Sequence, residues 1–145
     1  MQIFQPCEHW KDCAEYLRRD PKRLGKQAVE LYQIYMAVDA LLHDRRHGYI
    51  NHPIVRHIYH NGRPYDLFSY FDELTRVWME LGYRRSDAFL ENVSRLRTKI
   101  QPYFTDEPYQ PFFCAGTERS YVDVEQQYRR LLETKWAGQE KHNKE

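Results

Sequence analysis

Residues 18–27 hold the densest set of side chains that could do chemistry in this sequence. This segment carries five cations, Arg18, Arg19, Lys22, Arg23 and Lys26, against the single anion Asp20. An Asp directly before a Pro predicts a helix that begins here, with Asp20 as the N-cap and Pro21 in the first turn. Backbone N–H groups, the helix dipole and clustered cations together favour a phosphate ligand. Because the whole chain has a formal net charge of only +1, this positive charge is local and indicates an anionic polymer or a phosphate.

The same region offers groups for catalysis as well as for binding. Lys26 and Glu30 are one helical turn apart, a spacing typical of a surface ion pair. The alternative is that one of them takes part in catalysis. Asp20 has two interpretations in the same way, as a simple N-cap or as a catalytic carboxylate that faces a cleft.

A second group of polar residues follows at Asn51-His52-Pro53, with Arg56 one turn later. This group is consistent either with a loop that enters a nucleic-acid groove or with a turn whose side chains satisfy local backbone groups. His43 and His47 have the spacing of metal ligands on a helix, but no carboxylate or cysteine pattern accompanies them. We therefore expect neither a metal nor another cofactor.

The elements that must position these residues are helices. Apolar residues recur at three- and four-residue steps at Leu24, Ala28, Leu31, Tyr35, Val38 and Leu42, which predicts a long helix after Asp20. Further helices are predicted over 8–19, 53–59, 65–81 and from Ser86, which can cap a helix reaching Ile100. The fold class is therefore all-α, a single-domain compact helical bundle over residues 1–136. Residues 101–120 are expected to be an aromatic and Pro-rich loop, 121–136 a terminal helix, and 137–145 a disordered tail.

Composition excludes several classes of protein. Charged residues make up 30% of the chain, the mean hydropathy is −0.88, and no run of about eighteen apolar residues occurs, so no membrane association is expected. The three cysteines, Cys7, Cys13 and Cys114, are odd in number and lack a C-x-x-C spacing, which favours free thiols in a reducing compartment. No secretory signal is visible. We expect a cytoplasmic monomer.

The order of these features resembles the pyrimidine-dimer DNA glycosylase family, the small all-α enzymes of ultraviolet repair called endonuclease V in phages, and its bacterial relatives. The resemblance rests on an extended start, the basic segment 20–27 opening a long helix, Gly48-Tyr49-x-Asn51-His52-Pro53, and a helix ending in Glu80-Leu81-Gly82-Tyr83. It covers roughly residues 1–100.

The resemblance implies a mechanism. Family enzymes attack the sugar C1′ of a damaged nucleotide with their N-terminal α-amine, forming a Schiff base, while a nearby carboxylate stabilises the sugar cation. An α-amine with its ordinary pKa near 8 keeps a neutral fraction at pH 7, and base flipping exposes C1′. On this basis the catalytic candidates are Met1, Asp20, Lys26 and Glu30, although an alignment that puts Arg19 in place of Asp20 is nearly as good.

The start of the chain, Met1-Gln2, bears on this mechanism because Gln is too large for efficient removal of the initiator Met. The nucleophile would then be the Met1 amine or, after processing, the Gln2 amine. The predicted partner is double-stranded DNA, contacted by the following residues: Arg18, Arg19, Lys22, Arg23, Lys26, Asn51, His52 and Arg56. Two functions stay open, a DNA glycosylase that could also cleave at abasic sites, and a non-catalytic DNA-binding protein on the same fold.

Overall fold

A central helix, α2 (Pro21–Leu42), organises the molecule. The computed structural model describes residues 1–144, with the side chains of residues 1–140. Asp20 caps α2 as predicted, since its carboxylate accepts a hydrogen bond from the backbone N–H of Arg23 at 3.2 Å, and Pro21 occupies the first turn. The predicted apolar stripe is confirmed from Leu24 to Val38, whose side chains are buried, because one face of α2 packs into the core.

Five other helices surround α2. They are α1 (Trp10–Tyr16), α3 (Pro53–His57), α4 (Phe68–Glu80), α5 (Asp87–Ile100) and α6 (Val124–Lys144). α2 packs against α3, α4 and α5, and α1 packs against α4. Ser86 caps α5 as predicted, with its hydroxyl accepting from the N–H of Phe89 at 3.2 Å. The all-α fold class is confirmed.

The predicted loop at 101–120 contains regular structure. A 3₁₀ turn at Gln101–Tyr103 follows α5, and a small antiparallel hairpin joins β1 (Phe113–Ala115) to β2 (Glu118–Ser120). Gly116 starts the two-residue connection with φ +60°, a backbone conformation that glycine adopts without steric cost. Three residues a strand are too few for an alternating pattern, so the sequence contained no usable strand signal.

The first and the last of the predicted helices also differ from expectation. The helix predicted over 8–19 is α1 followed by a 3₁₀ turn at Leu17–Arg19. This turn ends directly before Asp20, the N-cap of α2. The predicted disordered tail at 137–145 is instead a continuation of α6 to Lys144, and residue 145 lies outside the described residues. Gln, Glu and Lys have high helix propensity, so a polar composition does not by itself end a helix.

Gly25 is a position where the central helix tolerates no side chain. A Cβ atom there would lie 2.8 and 2.9 Å from two ring carbons of Trp78, and that ring stacks on Tyr83 with centroids 4.4 Å apart. Gly25 therefore lets α2 and α4 approach closely.

We expect Gly25→Ala to lower the free energy of unfolding by about 1–3 kcal/mol, because overpacking outweighs the gain in helix propensity. Gly138→Ala in α6 is the matched control, since no atom lies within 4 Å of the added Cβ, and it should stabilise by about 0.5–1 kcal/mol. Urea unfolding measures both. Equal stabilisation by the two substitutions would contradict the packing argument.

Candidate active site

The buried amide of Gln27 fixes the start of the chain against α2. Its Oε1 accepts from the N–H of Phe4 at 2.7 Å, and its Nε2 donates to the carbonyl of Gln2 at 2.8 Å. Tyr70 of α4 adds a third contact, since its hydroxyl donates to the Phe4 carbonyl at 2.8 Å. Gln27 is only 1% exposed, so each of these polar groups needs its protein partner. The first residues are therefore held in one extended conformation.

This anchoring brings Met1 into a pocket of about 400 Å³ built from both halves of the chain. Its walls are formed by Met1, Gln2, Phe4, Arg23, Lys26, Gln27, Glu30, His52, Pro53, Cys114, Gly116, Arg119 and Lys135. Such a volume lies within the range of pockets that hold small molecules. The predicted catalytic candidates Met1, Lys26 and Glu30 and the predicted DNA-contacting residues Arg23 and His52 meet here.

Glu30 is the only carboxylate among the lining residues. Its Oε2 accepts from the N–H of Gln2 at 3.4 Å, one residue from the chain start, and its Oε1 lies 4.0 Å from Nζ of Lys26. The Glu30 side chain is 13% exposed and that of Lys26 is 72% exposed. A single sheltered carboxylate among cations and an amine is therefore placed to interact with positive charge that develops in the pocket.

His52 enters the pocket from the start of α3. Its Nδ1 accepts from the N–H of Ile54 at 3.2 Å, which makes it the N-cap of α3. Because Nδ1 is an acceptor, the neutral imidazole carries its proton on Nε2. Burial, the α-ammonium group of Met1 and the guanidinium of Arg119 all lower the pKa of His52. His52 is thus a neutral hydrogen-bond donor at pH 7.

Asp20 lies outside this pocket. Its Oδ2 accepts from Nε1 of Trp136 at 2.8 Å and from Nε of Arg23 at 3.3 Å, while Oδ1 caps α2. Burial alone would raise the pKa of Asp20, but the hydrogen bonds from Trp136 and Arg23 outweigh it and the pKa is lowered. Asp20 therefore acts as an ionised structural cap, and the structure does not bring it together with Met1.

The basic segment is divided among three surroundings. Arg18 points to an ion-pair network, with Glu15 at 2.8 Å and Glu80 at 2.7 Å. Arg19 lies over the ring of Trp136, 4.0 Å from its centroid. Lys22 is exposed near the same ring. Of the five cations of the basic segment, only Arg23 and Lys26 line the pocket. Successive side chains of a helix point in directions about 100° apart, so they cannot all face one site.

Asn51 and Arg56 pair with each other beside His52. Nη2 of Arg56 donates to Oδ1 of Asn51 at 3.0 Å. Neither residue is among those lining the pocket. The hydrogen bond from the Ile54 N–H to His52 corresponds to the turn interpretation of the motif, while His52 and Pro53 both line the pocket.

Three pocket residues were missed from the sequence: Gln27, Arg119 and Lys135. Gln27 carried no signal because a lone Gln on a helix is usually exposed. Arg119 and Lys135 lie about 90 residues or more from the basic segment, so only the fold brings them near it. His43 contacts Asp39 at 2.9 Å, and no group of three or more metal-ligating side chains occurs within the described residues.

The comparison with protein families identifies the chain. The family model for pyrimidine dimer DNA glycosylase matches residues 1–91, and the chain belongs to that family. Membership gives DNA as the substrate and glycosylase activity of the ultraviolet-repair type as the family's function. No curated protein and no solved structure matches the chain. Within residues 1–144, no helix combines the length and apolar character needed to cross a bilayer.

The anchoring role of Gln27 can be tested directly. Gln27→Ala removes two hydrogen bonds and leaves the Phe4 N–H buried without a partner, so we expect a loss of about 2–4 kcal/mol in unfolding free energy. Hydrogen exchange at the Phe4 amide should speed up more than exchange in α4. Gln33→Ala in the same helix is the control and should change neither. Unaltered exchange at Phe4 in Gln27→Ala would show that Gln27 does not hold the chain start.

The lowered pKa of His52 predicts a pH-dependent stability. The unfolded chain takes up a proton near the usual pKa of 6.5, whereas folded His52 does so only at lower pH, so stability falls as the pH drops below 6.5. Buried His57 contributes in the same direction.

We expect His52→Asn to weaken this pH dependence between pH 7 and pH 5, because Asn keeps the N-cap without titrating. Urea unfolding at both pH values measures the effect, with His60→Asn at an exposed position as the control. An identical loss of stability in wild type and His52→Asn would refute the assignment.

Proposed function

We propose that this protein is a DNA glycosylase in which the α-amine at Met1 attacks C1′ of a flipped nucleotide and Glu30 assists. The supporting observation is the pocket itself, where the chain start lies beside one sheltered carboxylate and among cations. Family membership over residues 1–91 supports the reaction class. The anchoring by Gln27 supports Met1 as the nucleophile, since a fixed amine needs no ordering before attack.

The proposed reaction proceeds by substitution at the sugar. The neutral amine nitrogen forms a bond to C1′ as the bond between C1′ and the base nitrogen breaks, and the base leaves with that electron pair and takes up a proton. Glu30 stabilises the positive charge on the sugar and accepts a proton from the attacking nitrogen. Breaking the C1′–O4′ bond then gives the imine and a sugar hydroxyl. Removal of a C2′ proton would expel the 3′ phosphate, which is the lyase step.

His52 is suited to donate rather than accept in this scheme. Its Nδ1 is occupied by the Ile54 N–H, so the Nε2–H is the group available to the pocket. We assign it to the departing base or to the sugar O4′, both of which gain negative charge as bonds break. Arg23 and Lys26 would bind the flanking phosphates, and flipping would expose C1′ at a cost of a few kcal/mol.

Two alternatives differ from this proposal in specific residues. Lys26 could be the nucleophile in place of Met1, although its side chain is 72% exposed and 4.0 Å from Glu30. A non-catalytic DNA-binding protein would keep the phosphate contacts without amine chemistry. Glu30 argues against this second alternative, because an anion in the pocket weakens the binding of a phosphate.

Borohydride trapping separates these possibilities. An imine is reduced by borohydride to a stable covalent adduct, so the protein is incubated with duplex DNA that carries a pyrimidine dimer or an abasic site. Peptide mapping of the adduct should locate it at the Met1 amine, and the intact mass establishes which residue begins the chain. An adduct at Lys26 would instead identify Lys26 as the nucleophile. DNA binding without an adduct on either duplex would overturn the amine mechanism.

Glu30→Gln tests the carboxylate. We expect the rate of base excision to fall at least about a hundredfold, while DNA affinity stays the same or rises because an anion has been removed. Glu91→Gln on α5, whose carboxylate pairs with Arg95 outside the pocket at 3.6 Å, is the matched control and should excise at the wild-type rate. An unchanged rate of base excision in Glu30→Gln would show that the Glu30 carboxylate takes no part in the reaction.

A further inference from the structure

The segment beyond the family match forms one complete wall of the pocket. The family model ends at residue 91, yet Cys114, Gly116, Arg119 and Lys135 all line the cavity that holds Met1. We call these four residues the C-terminal wall. The pocket of this chain therefore includes residues beyond those that the family model matches.

The hairpin register aims Arg119 at the pocket. Cys114 and Arg119 are directly opposite each other in the antiparallel pair, and opposed residues project on the same face of a hairpin. Their neighbours alternate to the other face, where Phe113, Ala115 and Glu118 line a separate surface depression together with Arg130 of α6. The hairpin thus presents Arg119 to the pocket, whereas Arg130 of α6 lies with the residues of the opposite face of the hairpin.

Three hydrogen bonds, two of them buried, hold the C-terminal wall in place. The hydroxyl of Tyr128 donates to the Phe112 carbonyl at 3.1 Å and accepts from the Cys114 N–H at 3.4 Å, so α6 fixes β1. Trp136 is 5% exposed and donates to Asp20, which fixes α6 on the N-terminus of α2. Lys135, the neighbour of Trp136, is therefore held near the basic segment.

The two cations of the C-terminal wall differ from the other cations of the pocket. Arg23 is paired with Asp20, and Lys26 lies near Glu30. Within the described residues, neither Arg119 nor Lys135 has an ion-pair partner, and both are exposed. Their charges are thus available to an anion that enters the pocket, and a phosphodiester is the anion that a nucleotide carries there.

We propose that Arg119 and Lys135 bind the phosphate of the single nucleotide whose sugar enters the pocket, and that they give the protein its preference for a flipped nucleotide over intact duplex. The proposal rests on the proposed function, because it takes Met1 to face the sugar. Phosphates lie on the outside of a duplex whether or not a base is stacked, but only a nucleotide turned out of the helix can place its sugar beside Met1 and its own phosphate on the C-terminal wall at the same time. The C-terminal wall therefore determines specificity in addition to contributing charge.

Binding to a tetrahydrofuran duplex tests this proposal apart from the chemistry. Tetrahydrofuran mimics an abasic nucleotide but lacks the C1′ hydroxyl, so no imine can form. Fluorescence anisotropy compares a duplex with one central tetrahydrofuran and the same duplex undamaged, over a range of salt concentrations. We expect Arg119→Ala/Lys135→Ala to lose about tenfold or more in affinity for the tetrahydrofuran duplex, and its salt slope to become shallower by about 1–2.

Arg130→Ala is the matched control, because it removes an exposed arginine of the same segment on the opposite face of the hairpin. It should keep the wild-type preference for the tetrahydrofuran duplex. The proposal is overturned if the double variant keeps that preference, if Arg130→Ala loses it equally, or if the wild-type protein shows none.

The result also separates this proposal from the amine mechanism. If the double variant loses the preference for the tetrahydrofuran duplex and borohydride trapping fails, the phosphate contact is supported and the Met1 amine is rejected as the nucleophile. If trapping succeeds and the double variant keeps its preference for the tetrahydrofuran duplex, the phosphate contact is rejected and the Met1 amine is supported as the nucleophile.

Discussion

The pairing of the Gln27 amide with the backbone of residues 2 and 4 is the interaction on which the site depends. An N-terminus normally samples many conformations, and ordering it costs roughly 1–2 kcal/mol per residue. Gln27 offsets this cost because a side-chain amide carries both a donor and an acceptor, and burial makes loss of either expensive. The position of Met1 then follows from α2, whose core face fixes the direction in which Gln27 points.

A second constraint joins the start of the central helix to the terminal helix. Asp20 accepts from the α2 backbone and from Trp136 of α6 at the same time, so the carboxylate that begins the central helix also docks the terminal helix. The guanidinium of Arg19 lies over the ring of Trp136. Part of the basic segment therefore holds the fold together, and the cations left to a ligand are fewer than the sequence contains.

The sequence was sufficient for α2, its Asp20 cap and the Ser86 cap, because these depend on neighbours within a few residues and on a repeated apolar spacing. It also placed Met1, Lys26, Glu30 and His52 among the candidates. The hairpin could not be predicted because its strands are too short for an alternating pattern. Arg119 and Lys135 could not be assigned to the pocket because about 90 residues or more separate them from the basic segment. Asp20 shows the converse difficulty, because a capping carboxylate and a catalytic one have the same local sequence.

The charge balance of the pocket explains why these distant residues belong to it. Glu30 is useful to a sugar cation but unfavourable to the phosphate beside that sugar, and Lys26 compensates for it only from 4.0 Å and an exposed position. In the proposed function, Arg119 of the hairpin and Lys135 of α6 bind the phosphate, while Glu30 faces the sugar. The proposed reaction at C1′ thus assigns the positive charge on the sugar and the negative charge on the phosphate to different side chains of the pocket.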